Sequence, residues 1–127
     1  MKMQRMFLGL ALACGMVGTV QADTLASGTV YGGRTQTRVA CQVFNAGNTP
    51  ISFASTQIFS QFQAPVPQTF NNCGTALAAN RICTFQAAAN DQAFSCKVQI
   101  LQVKTNVRGT MTALNFLAIP LSESDLR

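Results

Sequence analysis

The chain has no histidine, only four acidic side chains in 127 residues, and 10% charged positions overall. Without an imidazole, neither Ser-His-Asp nor Cys-His catalysis can be assembled, and the common zinc sites lose a main ligand. Of the acids, Asp23 lies near the start of the exported part, Glu123 and Asp125 lie in the last residues, and Asp91 stands alone. A paired-carboxylate mechanism therefore has no pair. Asp91 reads as a turn residue whose side chain bonds nearby backbone. No phosphate-cradling glycine motif is present, because Gly32-Gly33 is a bare pair. The bases beyond residue 22 come singly, as Arg34, Arg38, Arg81, Lys97, Lys104, Arg108 and Arg127. Nucleic-acid binding needs a basic patch, and none is visible. A Ser-Lys pair is the remaining catalytic option, but Lys97 is expected to face solvent and Lys104 to sit near a strand end. These absences predict a non-enzyme with no cofactor, no metal and no catalytic residue.

What is present begins with a leader. Lys2 and Arg5 precede an uncharged, mostly apolar run over residues 6–20, then Val20-Gln21-Ala22 and Asp23. This is the form of a secretory signal peptide over residues 1–22, cleaved after Ala22. The run is short for a bilayer span, so no transmembrane segment is expected after cleavage. A minor alternative is lipid anchoring at Cys14, since Leu10-Ala11-Leu12-Ala13-Cys14-Gly15 resembles a bacterial lipobox. Either route places residues 23–127, a single domain, in the periplasm or outside the cell.

Four cysteines then remain: Cys41, Cys73, Cys83 and Cys96. An even count in a short exported chain predicts disulfides, with three possible connectivities. No two have Cys-x-x-Cys spacing, which argues against a redox or zinc site. Residues 39–44 and 94–100 each alternate, with Cys41 beside Val39 and Val43, and Cys96 beside Phe94, Val98 and Ile100. Side chains two apart on a strand share a face, so both sulfurs point inward from half-buried strands. Further strands are expected over residues 28–31, 35–44, 51–59, 81–88, 93–104 and 109–119. An edge strand is possible near 66–70, the alanines of 76–79 could form a helical turn, and 122–127 should be a short mobile tail. The prediction is an all-β, Ig-like antiparallel β-sandwich of about seven strands. Cys41–Cys96 would cross its core, and Cys73–Cys83 would close a short loop leading into a strand.

Three motifs add a family resemblance over residues 41–89. They are Asn45-Ala-Gly-Asn-Thr-Pro50-Ile51, Asn72-Cys73-Gly74-Thr75-Ala76-Leu77 and Cys83-Thr84-Phe85. Together these resemble the Ig-like repeats related to Hydin found in bacterial surface proteins. The family's Phe-x-Pro after the second cysteine is replaced by Phe85-Gln86-Ala87-Ala88, and Cys41 and Cys96 are additions. The resemblance implies a sandwich and the short bridge, and no active site. More broadly, the chain is similar to small exported bacterial proteins of unassigned function.

One stretch invites a functional reading. Phe59, Phe62 and Phe70 occur in a proline-containing connection, where they would either cap the core or form an apolar patch for a partner. The expectation is thus a binding or structural module for an unknown protein or surface ligand. A second reading is an inhibitor or effector acting through the rigid loop closed by Cys73–Cys83.

Overall fold

A computed structural model describes residues 22–62 and 65–127. The leader and Cys14 lie outside the described residues. The elements are β1 (Asp23–Ala26), β2 (Gln36–Asn45), β3 (Ile51–Ser60), β4 (Phe70–Asn71), β5 (Ala76–Leu77), β6 (Ile82–Ala88), β7 (Phe94–Ile100), a 3-10 turn (Lys104–Asn106), β8 (Val107–Asn115) and β9 (Pro120–Leu126). Seven of these strands have four or more residues. They form two antiparallel sheets, ordered β1-β7-β3-β5 and β4-β6-β2-β8-β9. Up to β8, each strand lies in the opposite sheet from the one before it; β8 and β9 alone are consecutive neighbours.

Alternation explains the core. Val39, Cys41 and Val43 of β2, Phe85 and Ala87 of β6, and Met111 and Ala113 of β8 are buried on one sheet. Phe94, Cys96, Val98 and Ile100 of β7 face them from the other. In β3 the phase changes. Ile51 and Phe53 are buried and so is Ile58, five positions on, which strict alternation forbids. The pairing with β7 shifts between Phe53 and Ser55, and such a bulge turns the following side chains to the other face.

Cys41–Cys96 joins β2 to β7, and so one sheet to the other, with a Cα–Cα distance of 6.6 Å. Cys73–Cys83 spans 4.8 Å between Cα atoms and closes the loop that carries β5. Both bridges are buried.

The open sides of the sandwich are covered. On one side Ala26 and Arg127 exchange backbone hydrogen bonds, joining β1 of one sheet to the end of β9 in the other. On the other side the Val66 N–H donates to the Ile58 carbonyl, and Gln68 Nε2 to the Thr56 carbonyl. This connection shields the free edge of β3, a position otherwise open to strand addition.

Several elements differ from expectation. The early strand is β1, not residues 28–31, where Val30 makes only a single bridge to Phe94. Residues 76–79 form no helical turn, because Ala76 and Leu77 pair with Ser52 and Ile51. The expected edge strand near 66–70 is reduced to Phe70–Asn71. The tail is not a loose end: β9 pairs with β8 from Leu126 opposite Gly109 to Pro120 opposite Leu114. Gly109 is required there, since a Cβ on it would lie 2.9 Å from both the Gln42 carbonyl oxygen and Leu126 Cδ2.

Candidate functional site

The three phenylalanines do not share a face. Phe59 is opposite Ser95 on the outer side of the four-stranded sheet, half-buried, with Lys97 Nζ 5.2 Å from its ring centre. Phe70 is opposite Gln86 on the outer side of the five-stranded sheet. Phe62 lies in the connection after β3 and is 74% exposed. Phe59 and Phe70 thus lie on the outer faces of different sheets, so the three do not form one patch, and the singly exposed Phe62 and Phe70 are ordinary on a protein surface.

The 73–83 loop does not stand out from the body either. Leu77 is buried, β5 pairs with β3, and Asn45 Nδ2 donates to the Leu77 carbonyl. Bridge and pairing lay the loop on the sandwich.

Sequence reasoning missed the two most distinctive surfaces, which lie at opposite ends of the β2–β8 pair. The first is the β8–β9 turn. Asn115 Oδ1 accepts from the N–H groups of Leu117 and Ile119, and the Ala118 N–H donates to the Asn115 carbonyl. Ala118 takes a φ of 60°, a left-handed conformation costly for a residue with a Cβ. The turn displays Phe116 at 78%, Leu117 at 63% and Ile119 at 51% exposure. The signal was readable as Phe116-Leu117-Ala118-Ile119, but with residues 109–119 taken as one strand, half of it would have pointed inward.

Beside the turn, the Tyr31 hydroxyl donates to Asp91 Oδ1, and Arg34 Nε lies 3.3 Å from Asp91 Oδ2. Asp91 thus bonds side chains distant in sequence, not the local backbone expected of it. The hydrogen bond to Asp91 raises the Tyr31 pKa above 10.0, with desolvation and the Asp91 charge adding to it and Arg34 opposing. Gln36, buried nearby, donates to the Asn90 and Gln92 carbonyls and accepts from the Gly32 N–H. Gln36 is also the register partner of Asn115, which ties this polar frame to the base of the turn.

The second surface is a groove of about 630 Å³ at the other end. Phe44 of β2 is opposite Ile82 of β6 and Arg108 of β8, which makes a cross-strand row on the outer face. Lys104, Asp125 and Arg127 complete its charged lining. Arg108 Nη1 donates to the carbonyls of Thr105 and Val107 at 2.8 and 2.9 Å, so its guanidinium is held in place. The Lys104 N–H donates to Asp23 Oδ2, which fixes the 3-10 turn against β1. The one salt bridge among the described residues is Arg34–Asp91, so the groove's cations have no carboxylate within ion-pairing distance. Arg108, one of the singly placed bases of the sequence, is central to this surface.

Among the described residues no three His, Cys, Asp or Glu side chains are grouped to hold a metal. No helix among them is long and apolar enough to cross a membrane. No family model, curated protein or solved structure matches the chain.

Proposed function

We propose that this chain is an exported, non-catalytic Ig-like module that acts by binding, and that the β8–β9 turn is its principal contact. The observation that carries this reading is the apolar tip itself. Three large side chains, each more than half exposed, occupy three of four consecutive positions on a turn fixed by Asn115. A rigid apolar projection loses little conformational entropy on docking, and its burial in a recess of a partner is favourable by about 1.5–3 kcal/mol per large side chain. Export is supported by the leader and by two buried bridges, which belong to an oxidising compartment. The inhibitor reading through the 73–83 loop has no comparable support, since that loop is docked on its own sandwich.

A photo-crosslinking residue in place of Leu117, expressed in the native host, tests the proposal. A discrete adduct that vanishes with Phe116→Ser is expected. Absence of any adduct, with the sandwich intact, would contradict it.

A further inference from the structure

The groove at the far end is a second surface, distinct from the β8–β9 turn. We infer that it takes a peptide segment with carboxylates flanking a large apolar side chain. The lining divides by chemistry. Phe44 and Ile82, 36% and 63% exposed, provide an apolar wall. Lys104, Arg108 and Arg127 provide three cationic side chains, and Asp125 one anionic one. The cations lack a salt-bridge partner of their own, and Arg108 is oriented by two backbone carbonyls, so an incoming carboxylate meets a prepared donor. An apolar side chain covering Phe44 and Ile82 would exclude water from the same site, and that strengthens the charge contacts.

The pattern selects a peptide over other anions. A nucleic acid or phosphate-rich surface presents repeating negative charge and would place some of it against Asp125. It would also leave the Phe44–Ile82 wall with nothing apolar to cover it. A peptide can place carboxylates opposite Arg108 and Lys104, an apolar side chain on the wall, and a backbone N–H opposite Asp125. The outer row next to this one consists of Thr84, Gln42, Thr110 and Asp125, which supplies hydroxyl and amide groups for main-chain hydrogen bonding.

The test is an NMR titration of the labelled, disulfide-intact protein with a blocked peptide of glutamate, phenylalanine and glutamate. A lysine-phenylalanine-lysine peptide and anionic phospholipid vesicles serve as comparisons. The acidic peptide should shift the amides of Phe44, Ile82, Arg108 and Thr110 and leave the β8–β9 turn unmoved. Arg108→Gln should weaken binding by about 1.5-fold to fivefold, the range for one exposed charge pair. Asp125→Asn should tighten it, a change of opposite sign that a merely unfolded variant would not show. Equal shifts with the lysine peptide, tighter binding to the vesicles, no shifts at millimolar peptide, or weaker binding by Asp125→Asn would each overturn the inference. Because the turn and the groove are probed separately, failure of one leaves the other standing.

Discussion

At the scale of single residues, polar side chains placed inside the fold determine how its ends are built. Asn45 is almost fully buried, donates from Nδ2 to the carbonyls of Thr49 and Leu77, and accepts from the Gly47 N–H. In the sequence it opens the Asn45-Ala-Gly-Asn motif, and the bond from the Gly47 N–H gives it the role of a turn residue. Its burial was not legible, because it depends on Leu77 of β5, 32 residues downstream. Asn45→Ala leaves buried groups without partners and should cost about 1–3 kcal/mol, read from the midpoint of urea unfolding. A loss below measurement error would show that the amide holds nothing in place. Tyr31 offers a cleaner reading, because it is the only tyrosine and the chain has no tryptophan. Its pKa is raised, so the bond to Asp91 stabilises the fold below pH 10.0 and is lost as pH climbs through the raised value. Ultraviolet titration of the phenolate should give a midpoint above 10.0. Asp91→Ala should lower it toward the ordinary value, and Arg34→Ala should raise it further.

At the scale of elements, legibility followed the number of apolar side chains on a strand's inner face. β2, β6 and β7 each bury three or more residues in alternation, and their positions follow from the sequence within a few residues. β9 buries only Leu126, while Ser122 and Ser124 occupy its other inward positions. A polar strand of that kind has the composition of a tail. β1 is equally inconspicuous in the sequence, with Leu25 its single buried side chain. The structure makes the difference testable. Amide exchange at Ser124 and Leu126 should be slow, comparable with β8, whereas a mobile tail would exchange at the rate of an unfolded peptide. Deleting residues 120–127 should likewise lower the unfolding midpoint, since it uncovers Met111 and unpairs an entire strand. The β8–β9 turn was hidden by the opposite effect: its apolar residues look like strand interior, and only the hairpin geometry turns them outward.

At the scale of the whole molecule, the sandwich was legible and the membership of its sheets was not. Seven successive connections pass from one sheet to the other, so neighbours in sequence say little about neighbours in space. Cys41 and Cys96 were the exception, because inward sulfurs on two distant strands imply facing sheets. Their bridge encloses a sequence separation of 55, against 10 for Cys73–Cys83. In the chain-entropy picture these contribute about 4 and about 3 kcal/mol. The Cys41→Ala/Cys96→Ala pair should therefore lower the guanidinium midpoint more than Cys73→Ala/Cys83→Ala does. The reverse order would place the main constraint in the short loop. The two surfaces sit at opposite ends of this stapled frame. All of it depends on the bridges forming in an oxidising compartment. Intact mass and a non-reducing peptide map of the protein from its native host test that claim most directly. The account predicts an N-terminus at Asp23 with Cys41 linked to Cys96 and Cys73 to Cys83. Free thiols, exchanged pairs or a retained leader would contradict it.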